Sequence, residues 1–331
     1  MTRQPTSLSS PGLPTLSCFG EKELLLRLCD DLPSQPDLQV GPGDDCAVVR
    51  PVGVADWDWL LKSDPVIEKV HFTPKDNPAD VGHKAVGRVL SDIAAMGGEP
   101  LWININLTAP ANTPFTKIEA LYKGIKAITR QYGVGIAGGD VSSAPHLALH
   151  VFGVGRVPRG QAILRSGAKP GDAICVTGNL GGSRKGKHLR FEPRLAVGQW
   201  LMHGGWATAM IDISDGLSTD LHHLAEASKV GAVIEAQQIP IAAAAESVTG
   251  RWTPLKHALY DGEDFELLFT VPDERLEALL REWPTALNTT CTNIGTVLPA
   301  YAGIKLHQTD GKKARLPAKG YEHFRKNYYH I

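Results

Sequence analysis

Apolar residues recur along the chain at two spacings, and the switching between them predicts the elements. Leu24, Leu25, Leu28 and Cys29 lie at helical spacing within 21–32, with Pro33 as the stop. A turn, Gly41-Pro42-Gly43-Asp44-Asp45, precedes a strand over 46–49, and a second strand over 57–63 ends at Asp64-Pro65. The long helical pattern of 80–96 closes on Gly97-Gly98, a pair suited to a left-handed C-cap. An alternating strand over 101–107 leads to a helix over 114–131, with Thr113 as N-cap and Pro114 as first residue. Strands over 134–137 and 146–154 follow. Pro158, Gly160, Gly167 and Pro170 then mark the best domain boundary.

The second half repeats the mixture. Strands are expected over 172–177, 210–214 and 263–271, with helices near 195–202 and over 218–228. Alternating strands and helices in both halves give an α/β (α+β) class in two domains, 19–157 and 158–331. Residues 1–18, rich in Ser, Thr and Pro, read as a disordered leader that lacks the apolar core of a secretory signal.

Composition narrows the function classes. A length of 331 residues exceeds what one core usually serves. A formal net charge of −1 gives no general attraction for nucleic acid or an anionic membrane. No apolar run is long enough to span a bilayer. Five scattered cysteines without a C-x-x-C pair argue against a disulfide framework or zinc site and favour the cytoplasm. The basic cluster Arg184, Lys185, Lys187, Arg190 and Arg194 is not joined by an excess of positive charge elsewhere, so it reads as a phosphate-gripping or solvated loop.

The chemistry-bearing residues are acids at turning points. Asp44 and Asp45 precede a strand, Asp64 ends one, Asp140 follows Gly138-Gly139, and Asp212 and Asp215 flank Ser214. Turn chemistry explains any one of them singly. Asp92 is different, because on the helix wheel it falls between Val81 and Ala85, inside the apolar arc. A carboxylate there must be paired, protonated or bound to metal. Asp212 and Ser214 share a strand face just before a helix N-terminus, where free N–H groups can meet an anion. Many acids with few metal-type His or Cys favour Mg²⁺ over zinc. No G-x-x-x-x-G-K-[ST] P-loop, H-R-D or D-F-G sequence is present. The residues alone stop at an acidic Mg²⁺ site in a two-domain protein.

Eight segments in order carry a resemblance. They are Gly43-Asp44-Asp45, Ser63-Asp64 with Val70-His71-Phe72, 91–97 (SDIAAMG), Gly138-Gly139-Asp140, 165–168 (RSGA), 212–217 (DISDGL), 262–266 (GEDFE) and 320–324 (GYEHF). Collinear from about residue 19 to 324, the series resembles the thiamine-monophosphate kinase family, of the aminoimidazole ribonucleotide synthetase-like superfamily. The resemblance implies a fold without a P-loop, a homodimer paired through the N-terminal sheet, and ATP between the domains. It implies Mg²⁺-dependent, direct in-line phosphoryl transfer from ATP to thiamine monophosphate, the last step of thiamine diphosphate biosynthesis.

Carried onto this chain, the metal ligands would be Asp45, Ser63, Asp64, Asp92, Asp140, Asp212 and Asp215. Asp64, Asp92, Asp140 and Asp212 would be catalytic; Gly139, Asp140, Arg165 and Ser214 would contact ATP; His71, Glu263 and Tyr321 would contact the thiamine phosphate. Two alternatives stand beside this reading: a superfamily phosphotransferase with another acceptor, and a non-catalytic Mg·ATP-binding relative. Departures keep them open. Lys62-Ser63-Asp64-Pro65 stands where the family reads Ser-Thr-Asp-Thr, so Lys62 either touches a phosphate or projects into solvent. The Gly-rich loop at 181–188 is short, and Asp261 replaces a family glycine.

Overall fold

The computed structural model describes residues 16–18, 20–250 and 252–324, so the expected leader lies outside it except for residues 16–18. The chain divides into two compact units. The smaller holds residues up to Ser34 and from Tyr321 onward. Its helix α1 (Glu21–Leu28) stops short of residue 32 and fully buries no side chain; of the expected apolar stripe Leu25 and Leu28 are exposed and Leu24 and Cys29 half-buried. His323 N–H donates to Glu21 there at 3.1 Å.

The larger unit, 35–320, carries two mixed sheets. The first contains β1 (Leu38–Val40), β2 (Ala47–Val49), β3 (Trp57–Ile67), β4 (Glu99–Ala109), β5 (Gly135–Ser143) and β6 (Ala148–Pro158), in the order β1-β2-β3-β6-β4-β5. Only β4 and β5 run parallel. Against expectation, β3 does not end at Asp64-Pro65. Its pairing with β2 stops at Leu61, so Pro65 sits where one edge is open and a missing N–H breaks nothing on that side.

Helices α2 (Pro78–Ala95) and α3 (Phe115–Gln131) belong to this half. Asn77 caps α2 by accepting the Ala79 N–H at 2.9 Å, and Gly97, at φ 71°, turns the chain out as its sequence predicts. For α3 the expected Thr113 cap is displaced by one residue; Pro114 is the capping position and makes no side-chain cap bond. The two helices approach through glycines. A Cβ at Gly82 would collide with the Leu121 carbonyl oxygen, and one at Gly124 with that of Ala79. Gly124→Ala should therefore lower unfolding stability by about 1–3 kcal/mol, read by urea denaturation.

The second sheet holds β7 (Ala173–Thr177), β8 (Ala209–Asp212), β9 (Val230–Glu235), β10 (Leu267–Val271), β11 (Cys291–Pro299), β12 (Ile304–His307) and β13 (Lys313–Arg315). Their order is β13-β12-β9-β11-β7-β10-β8. Helices α4 (Lys187–Arg190), α5 (Leu195–His203), α6 (Leu217–Ser228), α7 (Ala243–Glu246), α8 (Pro254–Tyr260) and α9 (Asp273–Glu282) accompany it. From Val81 onward every residue of α2 but His83 and Arg88 is buried, because α2 packs on β3, β4 and β6 of the first sheet and on β8, α4 and α5 of the second half. One apolar core, including Ile93, Leu201 and Phe269, runs through this junction. α2 is the beam on which both halves converge.

Candidate active site

Three acids from three elements meet at that junction. One carboxylate oxygen from each of Asp45, Asp92 and Asp212 lies within 4.8 Å of the others, and all three residues are buried. Asp45 comes from the turn before β2, Asp92 from α2 and Asp212 from the end of β8. Each has a different partner. Arg165 Nη2 donates to Asp45 Oδ1 at 2.6 Å, Lys62 Nζ lies 2.9 Å from Asp92 Oδ1, and Ser91 Oγ donates to Asp212 Oδ2 at 2.7 Å. Asp45 Oδ2 is buried without any hydrogen-bond partner.

Crowding of like charges out of water disfavours ionisation. Burial, with Asp45 beside it, pushes Asp212 up to about 6. Burial also pushes Asp92 well above the usual carboxylate range; Lys62 opposes this, while Asp212, Asp64 and Asp45 reinforce it. Asp44, whose carboxylate accepts the backbone N–H of Arg165 at 3.1 Å, rises to about 6 through burial and the charge of Asp45. A hard divalent cation relieves such a cluster directly, and the orphaned Asp45 oxygen is a donor in place for one.

A second group lies along the same face of α2. Lys84, Arg88 and Asp92 follow one another at four-residue intervals, the spacing of one helical face. Lys84 Nζ reaches Glu263 Oε1 at 2.6 Å, the His71 carbonyl at 2.6 Å and His188 Nδ1 at 3.1 Å. Arg88 joins Asp64 Oδ1 at 3.1 Å to Glu263 Oε1 at 3.5 Å, and His188 Nδ1 lies 3.3 Å from Glu263 Oε2. Burial alone would raise Glu263, yet Lys84, His188 and Arg88 outweigh it and hold this carboxylate far below its ordinary range. Asp64 is lowered likewise, burial being overcome by Arg88 and Lys62. Burial takes the Lys84 ammonium down to about 8, with Glu263 resisting.

Glu263 is aimed by an irregular segment rather than the strand expected from 263. Glu263 and Phe265 adopt φ of 66° and 51°, and β10 starts only at Leu267. Such left-handed non-glycine residues persist where surroundings fix them. Here Glu263 N–H donates to Ser214 O at 2.7 Å, Phe265 N–H to Ile213 O at 2.8 Å, and Ser183 Oγ to Gly262 O at 2.6 Å. Phe265 stacks on Phe191 with centroids 3.8 Å apart. Glu266 is gripped by Arg194 at 2.7 Å, Lys187 at 2.8 Å and Thr177 at 2.7 Å. Two cations of the basic loop thus brace this turn, and Arg190 pairs with Asp80.

The other expected residues are not members of the three-acid cluster. His71 is buried and its Nδ1 accepts the Ile67 N–H at 3.0 Å. Ser63 lies on the opposite face of β3 from Lys62 and Asp64 and is exposed. Asp215 falls in a separate group, with Asp220 and His223; Asp220 accepts the N–H groups of Asp215 and Gly216 at the start of α6. Gly139 pairs with Ile105 so closely that a Cβ would collide with the Ile105 carbonyl oxygen. Asp140 is exposed on β5, outside the cluster of three. Tyr321 belongs to the smaller unit, its hydroxyl 3.2 Å from His323 Nδ1. Sequence reasoning did not single out Lys84, Arg88 or His188. The four-residue polar stripe in an otherwise apolar helix was the available signal for the first two; nothing local marks His188.

Two mixed sheets joined through a buried acidic junction define a class. Residues 43–157 match the AIR synthase related protein N-terminal domain and residues 178–304 its C-terminal domain. Among curated proteins, the Thiamine-monophosphate kinase of Bacillus subtilis (strain 168) is 36% identical, covering 87% of this chain and 94% of its own. That of Escherichia coli (strain K12) is 35% identical, over 92% and 98%. A solved structure described as AaThiL complexed with AMPPCP and TMP superposes with a TM-score of 0.80 at 31% identity, over 95% of this chain and 100% of its own. The chain belongs to the thiamine-monophosphate kinase family.

Proposed function

We propose that this protein transfers the γ-phosphoryl group of ATP onto the phosphate of thiamine monophosphate, giving thiamine diphosphate and ADP. The observation that carries the reading is the buried Asp45–Asp92–Asp212 cluster with its orphaned Asp45 oxygen, on a chain whose relatives bear that kinase name. These three residues are the ones that would hold magnesium, and bound magnesium neutralises charge on the reacting phosphates. Arg165, oriented by Asp45 and by its backbone bond to Asp44, offers a guanidinium to a nucleotide phosphate. Glu263, held ionised by Lys84, His188 and Arg88, presents negative charge to the cationic thiazolium or the amino group of thiamine. An acceptor phosphate oxygen is already a nucleophile, so the residues need only position and stabilise it.

The test is purified protein with ATP, Mg²⁺ and thiamine monophosphate, followed chromatographically. Equimolar ADP and thiamine diphosphate are expected. Binding of ATP with no thiamine diphosphate, under any divalent cation, would overturn the reading.

We assign residues 19–157 and 158–331 as the two domains, which is supported by one sheet in each and by their separate family matches. We propose that two copies pair through the outer face of the first sheet, a reading supported by its exposed aromatics. Trp59, Trp102 and Phe152 project from the face opposite α2 and α3, and Trp102 is 50% exposed. Asp140, in register with the outward Asn106, shares that face. Trp102→Arg should halve the mass seen by light scattering; an unchanged mass would count against this interface. No described helix is long and apolar enough to cross a membrane, and none of the five cysteines is in a disulfide, which supports a cytoplasmic placement.

A further inference from the structure

Lys62 occupies a position that strand alternation reserves for an apolar side chain. It lies on the inward face of β3 between Leu60, which is fully buried, and Asp64. Its side chain is only 23% exposed, and the ammonium ends 2.9 Å from Asp92. A lysine so placed costs desolvation and rotamer freedom unless the charge is used locally. Around it stand Asp92, nearest, then Asp64, with Asp45 and Asp212 beyond; of these Arg165 already serves Asp45, Ser91 serves Asp212 and Arg88 serves Asp64. Asp92 is the member left to Lys62.

The charge count gives this contact a consequence. In the fully ionised state that an ion would bind, three carboxylates against the Arg165 guanidinium leave two negative charges, which is the charge of one divalent cation. With Lys62 in place only one remains uncompensated. Resting on the reading of this cluster as a metal site, we propose that Lys62 is a resident counter-ion of Asp92. It stands in for part of a divalent cation and sets how tightly such ions are held. A covalently attached ammonium needs no free ion to keep the three acids together, and its charge opposes a second cation at Asp92. Neither of the simpler fates of Lys62, contact with substrate phosphate alone or projection into solvent, requires this pairing in the ligand-free protein.

The test measures ion binding rather than turnover. Mn²⁺ is titrated into the full chain, with and without a non-hydrolysable ATP analogue, and followed by electron paramagnetic resonance. Lys62→Met removes the charge while keeping the length, Lys62→Gln keeps a hydrogen-bond donor without charge, and Lys62→Arg keeps the charge. Loss of a like charge so near the ion should tighten Mn²⁺ binding about tenfold or more in the Met and Gln variants. Lys62→Arg should stay within about threefold of the unaltered protein, since a guanidinium opposes the ion as an ammonium does. The two neutral variants guard against one that fails to fold, which circular dichroism would reveal. Equal affinity and equal ion number in all four proteins would overturn the counter-ion role and leave the metal site standing. Absence of Mn²⁺ binding in all of them, with the analogue present, would remove both.

Discussion

Asp212→Asn is expected to lower kcat on the order of 10²–10³-fold while leaving the metal-free protein more stable above pH 6 than the original. The first effect follows from removing one charged oxygen donor where phosphates carry concentrated charge. The second follows from the raised pKa. Asp212 goes from an ordinary value of 3.8 to about 6, chiefly because it is buried. A carboxyl group raised in this way favours the fold while protonated, and that contribution is lost as pH rises through about 6. A rise of this size corresponds to about 3 kcal/mol, an upper figure because Asp45 shares the repulsion. Asparagine keeps an oxygen to accept the Ser91 hydroxyl and never ionises. Thermal midpoints at pH 4.5 and pH 8, with chelator present, provide the check. The variant should gain several degrees at the higher pH and little at the lower. A variant that keeps full activity, or that loses stability at pH 8, would contradict the assignment of Asp212 to a strained, ion-binding centre.

The second large effect concerns Lys84. Its ammonium is completely buried and serves Glu263, His188 and the His71 carbonyl together. Lys84→Met should cost about 3 kcal/mol of unfolding free energy, the low end for breaking a buried pair, because Arg88 and His188 still face Glu263. Glu263 has its pKa depressed, so its contribution is present above about pH 4.5 and disappears as acid titrates the carboxylate. The deficit of the variant should accordingly be greatest near neutrality and shrink in acid. Adding Glu263→Gln to Lys84→Met should return at least half of the loss, since no buried charge is then left without its partner. Urea denaturation of the four proteins in the cycle measures this coupling. Additive losses would mean that the two side chains do not act as a pair.

Relief of this kind explains why such costly groups persist in the fold. Lys84, Arg88 and Asp92 interrupt the apolar surface of α2, and each needs an opposite charge from another element. Together they set the distance between β3, α2 and the turn at 262–266. Stability has been exchanged for a fixed arrangement of charge, which electrostatic catalysis requires.

The elements themselves were largely legible in the residues. Periodicity located α2, α3, α5, α6 and most strands, because burial of one face imposes a spacing whatever the neighbours are. The acids were visible too, since Asp92 interrupts an apolar arc and the others stand at turns. Three features needed the tertiary structure. β3 continues through Pro65 because its edge is open there, a fact of pairing rather than of local sequence. Residues 263–266 leave the strand because backbone bonds to Ile213 and Ser214 hold two left-handed residues. Above all, the resemblance implied seven ligands without ranking them, and it is packing that brings Asp45, Asp92 and Asp212 together and sets Asp64 beside Arg88. Spacing along a chain fixes which face a side chain occupies. Which polar groups meet across 121 residues, as Ser91 and Asp212 do, is decided only when the helices and sheets close around one core.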